Sequence, residues 1–132
     1  MTNQELFKIA NDARKKSYSP YSNITVGAAL LCGSGKVYTG ANIENAAYSP
    51  SVCAERVAIF SAINAGEREF ISIAVAGGKQ GDGVRESFTP CGVCRQVMAE
   101  FCKEDFKVVL SESDELAFSA LLPFRFDGDK IK

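Results

Sequence analysis

The apolar positions fall into short blocks whose spacing alternates between helical and extended. Leu6, Ile9, Ala10 and Ala13 recur at helical spacing, and Thr2 stands three residues before Glu5 in a capping-box relation. A first helix is therefore expected through about Ser17, with Lys15 and Lys16 suiting the negative end of its dipole. The stretch Tyr18-Ser19-Pro20-Tyr21-Ser22 reads as a proline-interrupted connector. Thr25 to Cys32 is apolar and β-branched, Gly33-Ser34-Gly35 turns the chain, and Lys36 to Ile43 continues extended, which predicts a hairpin. Val26 to Leu31 is apolar throughout instead of alternating, so helices should cover both faces of that strand.

Further along, Cys53 to about Ala65 predicts a second helix, with Gly66 as its stop. Ile71 to Ala76 reads as a third strand and Gly77 to Ser87 as a loop rich in glycine and charge. Cys91 to Cys102 makes a third helix and Phe106 to Leu110 a fourth strand. This alternation predicts an α/β fold in which crossovers set neighbouring strands parallel. There are no internal repeats, and the tail after Leu121-Leu122-Pro123 is aromatic, then charged.

At 132 residues the chain is expected to form one domain, residues 1–132, burying roughly two thirds of its unfolded surface. A net charge of -1 gives no electrostatic reason to expect a nucleic-acid polymer as partner. The opening Met-Thr-Asn-Gln-Glu lacks a signal-like apolar run, and no segment has transmembrane length, so a cytoplasmic protein without membrane partners is expected. The five cysteines then argue for thiols and metal over a disulfide framework.

Chemistry concentrates in Cys53-Ala54-Glu55 and in Pro90-Cys91-Gly92-Val93-Cys94. A catalytic zinc keeps three protein ligands and an open position for water, whose pKa falls to about 7. Cys53, Cys91 and Cys94 supply three such ligands, and Glu55, two residues beyond Cys53, is placed to shuttle protons without binding the metal. Three thiolates on a divalent cation leave a net charge of minus one, so one or both of Arg56 and Arg95 are expected to donate to the sulfurs and withdraw it. Two blander readings remain open on the residues alone: a redox C-x-x-C pair, and a structural zinc site, although the latter normally takes four ligands and the chain has no histidine. Cys32 and Cys102 lie in apolar segments and read as core. Asn42 and Glu44, ending the second strand, fit a solvated loop as well as a ligand contact.

Taken together, Pro20-Tyr21-Ser22, Val26-Gly27-Ala28-Ala29-Leu30, Asn42-Ile43-Glu44-Asn45-Ala46, Cys53-Ala54-Glu55-Arg56 and Pro90-Cys91-Gly92-Val93-Cys94-Arg95-Gln96 resemble cytidine deaminase, specifically its small homotetrameric class. The resemblance runs from the first helix to Leu121-Leu122-Pro123. It implies a three-layer α/β/α sandwich around a mixed, mostly parallel five-stranded sheet, and one zinc ion per subunit. It implies hydrolytic conversion of cytidine and deoxycytidine to uridine and deoxyuridine in pyrimidine salvage. By position, Asn42 and Glu44 match residues that hold the ribose 3′-hydroxyl, which favours a free nucleoside. Ala54 matches the residue whose N–H meets the pyrimidine carbonyl, and Thr89 the one whose carbonyl accepts from the exocyclic amine. Phe126 matches an aromatic lent by a neighbouring subunit, which implies a homotetramer with shared sites.

Three departures accompany the match. Ile24 stands where the family often has a phenylalanine against the base, Ala41 where cysteine is common, and Ser111 to Ala120 is short for a segment containing a fifth strand. The rivals are a blasticidin-S-type deaminase, a polynucleotide deaminase, and a non-catalytic zinc or redox module in which Glu55 would be dispensable.

Overall fold

The apolar run at 26–31 forms the middle of a central strand. The computed structural model describes residues 1–85 and 87–132. Strand β1 (Ile24–Cys32) pairs antiparallel with β2 (Val37–Ala41) on one side and with β3 (Phe70–Lys79) on the other. Strand β4 (Lys107–Val109) runs parallel to β3, and β5 (Glu115–Ala117) antiparallel to β4, giving the order β2-β1-β3-β4-β5.

The pleat of β1 explains why it is apolar throughout. Val26, Ala28, Leu30 and Cys32 join Ile59 of helix α2 (Ala54–Asn64) and Met98 of helix α3 (Gly92–Phe101) in one core. Ala29 turns to the opposite face and meets Leu6, Phe7 and Ala10 of helix α1 (Asn3–Ala13). Each face thus has its own helical cover, as expected for alternate side chains of a doubly buried strand. Helix α4 (Phe118–Leu121) adds Phe118 and Leu121 to the α2–α3 side. The result is the expected α/β/α sandwich on a mixed five-stranded sheet.

The expectation of a mostly parallel sheet is corrected: only β3 and β4 pair in parallel. The cause is the hairpin. It reverses the chain before α2 carries it across the sheet, so β3 runs in the direction of β2 and lies antiparallel to the strand it touches, β1. The third strand is also longer than expected, because β3 continues through Gly77 and Gly78 to Lys79. The first helix is shorter: α1 stops at Ala13, and Arg14–Lys16 forms a single 3-10 turn. Strand β5 is only three residues long, in keeping with the short segment that carries it.

One close approach sets where α2 begins. A Cβ on Gly40 of β2 would collide with the Ala54 carbonyl oxygen and the Ala58 amide nitrogen. The first turn of α2 therefore rests directly on bare strand backbone. Replacing Gly40 by valine should push that turn off the sheet and cost about 1–3 kcal/mol, as overpacking does. The expected outcome is a lower thermal midpoint together with reduced bound zinc; an unchanged midpoint and full metal content would show that the contact is slack.

Candidate active site

Cys53 and Cys91 occupy equivalent places, each the N-cap residue of a helix, α2 and α3 respectively. Neither side chain caps its own helix, so both sulfurs are free to turn toward one another. Cys94 lies in the first turn of α3 and is buried. The Cys91 sulfur is 3.5 Å from that of Cys53 and 3.5 Å from that of Cys94, and all three lie within 4.8 Å of one another. Sulfurs held tetrahedrally at ~2.3 Å from zinc sit about 3.8 Å apart, so the set fits that ion with little adjustment. All five cysteines of the chain are unpaired thiols. Cys32 and Cys102 are buried and enter the α2–α3 core, as their apolar settings suggested.

The electrostatics favour thiolate at Cys53. The positive ends of α2 and α3 both point at the triad. The Cys94 thiol donates to the Cys53 sulfur and Arg56 adds a second donor, which against the penalty of burial lowers the Cys53 pKa to about 5. Cys94 is raised, because its proton is the one shared with Cys53 and its surroundings are desolvated.

The two arginines part company here. Arg56 Nη2 donates to Cys53 Sγ at 3.5 Å, while its Nε is buried and has no hydrogen-bond partner. Arg95 is directed elsewhere: Nε donates to the Pro90 carbonyl and Nη1 to the Leu121 carbonyl, each at 2.8 Å. It ties the segment before Cys91 to the end of α4 and, among the described residues, makes no hydrogen bond to a sulfur, so of the two candidates Arg56 is the one that reaches a thiol.

Glu55 is only 3% exposed, at the start of α2. Burial pushes its carboxyl up to about 7, even though its own backbone N–H and the Cys94 thiol favour the charged form. It lines a cavity of about 340 Å³ that also contains Cys53, Cys91, Ala54, Thr89 and Ile24. Ala54 is fully buried and is the first residue of α2, where helix geometry supplies no intrahelical acceptor for the N–H.

The same cavity is lined by Asn42 and Glu44. Beyond the end of β2, the Asn42 amide continues the ladder to β1, with Oδ1 accepting from Val26 N–H at 2.8 Å and Nδ2 donating to the Ile24 carbonyl at 2.9 Å. Ser17 also donates to Oδ1, at 2.6 Å, leaving the amide one unused N–H. The Glu44 carboxylate accepts from the N–H groups of Tyr21 and Ser22 and from the Ser22 hydroxyl. The hydroxyl contact leads in holding its pKa below the ordinary range. Ser17 and Ser22, read from the sequence as helix end and connector, thus orient two cavity residues. The signal available for them was faint: two serines flanking a Tyr-x-Pro-Tyr stretch.

Phe126 does not line this cavity. Its ring is 56% exposed, and its carbonyl accepts from Gln96 Nε2 at 2.8 Å. Phe88, which does line the cavity, falls between the loop read at Gly77 to Ser87 and the Pro90–Cys94 cluster, where no local pattern singles it out.

Residues 1–110 match the family model of the cytidine and deoxycytidylate deaminase zinc-binding region. The chain is 45% identical to a cytidine deaminase of Halalkalibacterium halodurans, over 99% of this chain and 98% of that protein. It is 41% identical to a cytidine deaminase of Sporosarcina psychrophila, over 97% and 93% of the two chains. Its fold superposes on the crystal structure of cytidine deaminase from Burkholderia pseudomallei with a TM-score of 0.87, at 46% identity over 96% of this chain and 100% of that one. With the family model spanning most of the sequence and the three-thiol centre lying within the matched residues, the chain belongs to the cytidine and deoxycytidylate deaminase zinc-binding family.

Proposed function

We propose that the chain, acting as the single catalytic domain 1–132, hydrolyses the exocyclic C–N bond of cytidine and deoxycytidine, releasing ammonia and uridine or deoxyuridine. One observation carries this reading. A buried carboxyl poised near neutrality, two of the three convergent thiols and the polar Asn42–Glu44 pair line one cavity. A redox or structural zinc module has no use for that buried acid or for the Asn42–Glu44 pair.

Cys53, Cys91 and Cys94 would hold the zinc as thiolates, with Arg56 offsetting their excess charge at Cys53. A zinc bound there would supply the acidity, since zinc of this kind brings the pKa of water to about 7. Glu55 carries the protons. Its carboxylate accepts the one released as the C4–O bond forms, gives it to pyrimidine N3, and then helps protonate the amine as the C4–N bond breaks. The Ala54 N–H is assigned to the pyrimidine carbonyl and the Thr89 carbonyl to the amine; both residues line the cavity.

A sugar hydroxyl both donates and accepts. The unused N–H of Asn42 and the ionised Glu44 carboxylate can therefore both bind one hydroxyl, here assigned as the ribose 3′-hydroxyl. This contact to a 3′-hydroxyl favours cytidine and deoxycytidine over blasticidin S. Phe126, exposed and outside its own cavity, is assigned to a neighbouring subunit's site in a homotetramer. The salvage role and a cytoplasmic setting suit a free nucleoside as substrate and five unpaired thiols.

Glu55→Gln should keep its zinc while cytidine turnover, followed by absorbance, falls about 10²- to 10⁴-fold. Wild type holding zinc but leaving cytidine untouched while deaminating blasticidin S would shift the assignment to that substrate. Glu44→Gln should raise KM for cytidine about 10- to 100-fold and matter little for 3′-deoxycytidine. Arg56→Ala should weaken zinc retention against a chelator about 10- to 100-fold, the range typical of groups that support metal ligands; unchanged retention and turnover would remove its role.

A further inference from the structure

The cavity is well supplied with polar groups, but among its described lining residues Phe88 contributes the only aromatic ring. A pyrimidine has two flat apolar faces that hydrogen bonds at its edge leave uncovered. Something in the cavity has to cover them. Phe88 is half-buried, and its ring lies directly on the backbone of Gly77 in β3: a Cβ at position 77 would come within 2.6 Å of its Cγ and Cδ1. Gly77 is the register partner of Val26 in β1, and Val26 and Ile24 line the same cavity. All three apolar side chains belong to the α2–α3 side of the sheet. The chain turns at Ser87, whose φ is 53°, lays down Phe88, and continues through Thr89 and buried Pro90 to Cys91. The ring is thus coupled at one end to the sheet and at the other to the metal-binding segment.

We infer that Phe88, seated on the bare backbone of Gly77 and continued by Val26 and Ile24, is the residue that packs against the face of the base and selects for a flat pyrimidine ring. This deepens the nucleoside deaminase reading and rests on it. Gly77 is the positioning residue, because any side chain there displaces the ring. A purely structural wedge would fill the gap over Gly77 equally well but would leave substrate affinity unchanged when trimmed to another apolar group.

The chain contains no tryptophan, so Phe88→Trp introduces a single indole emitter into the cavity. Titration with uridine, the unreactive product, should give a saturable change in its emission. The same titration of Phe60→Trp, at an exposed site on α2, should give none. In steady-state assays, Phe88→Leu should raise KM for cytidine about tenfold with kcat within about twofold and zinc content unchanged, in line with what base–aromatic stacking contributes elsewhere. Phe88→Tyr should restore KM to within about twofold of wild type, and Gly77→Ala should raise it by displacing the Phe88 ring, although position 77 is not itself in the cavity lining.

A Phe88→Leu enzyme with wild-type KM, or Phe88→Trp emission that ignores saturating uridine while wild type turns over, overturns the assignment and leaves the deaminase reading standing. Wild type that fails to deaminate cytidine sinks both. Should Phe88→Leu lose its zinc, the emission titration decides alone.

Discussion

Three sulfurs from two segments, Cys53 and Cys91 being 38 residues apart, have to reach one point. Most of the architecture around the cavity can be traced to that requirement. Helices α2 and α3 begin there, their positive ends turned to the thiols, and each begins at a cysteine that forgoes capping its own helix. Neither helix could hold that position alone. The first turn of α2 is seated by bare backbone at Gly40, and the residue before Cys91 is held by Arg95, which spans the Pro90 and Leu121 carbonyls. Two arginines adjacent to the two clusters thus have separate duties, one bearing on a sulfur's charge and the other on the backbone that aims the sulfurs.

The substrate side is built by a different economy, in which polar side chains replace missing strand. Asn42 continues the β1 ladder after β2 has ended, and Glu44 gathers the amides of Tyr21 and Ser22. Those bonds fix both side chains, so in the sugar-binding role proposed for them little orientational freedom would remain to be lost. The apolar side follows the same logic, with glycine in β3 making room for a ring that arrives from a loop. Glycines at 40 and 77 act alike: each lets one layer of the sandwich approach the sheet more closely than any side chain would allow.

Local pattern determined a good deal. The doubly buried β1 was legible in an uninterrupted apolar run, the helices in their spacing and stops, and the metal centre in three cysteines with one acid, because zinc chemistry restricts which residue types can serve. Thr2 capping α1 through the Glu5 N–H is likewise as local a rule as the chain contains. What failed to be legible was relational. Strand direction around β1 depends on which side of the hairpin β3 joins, a choice made by packing and invisible in β3 itself. Gly77 and Gly78 look like a loop until the approach of Phe88 and Gly83 shows why a strand there must lack side chains. Arg95 and Arg56 are indistinguishable by sequence position, since each simply follows a cluster residue, and only three-dimensional placement gave one to a sulfur and the other to two carbonyls. The sequence by itself determined the chemical inventory and the local elements, because those follow from residue type and periodicity. The tertiary structure decided direction, close approach and hydrogen-bond partner, because each is a property of two segments meeting and of neither alone.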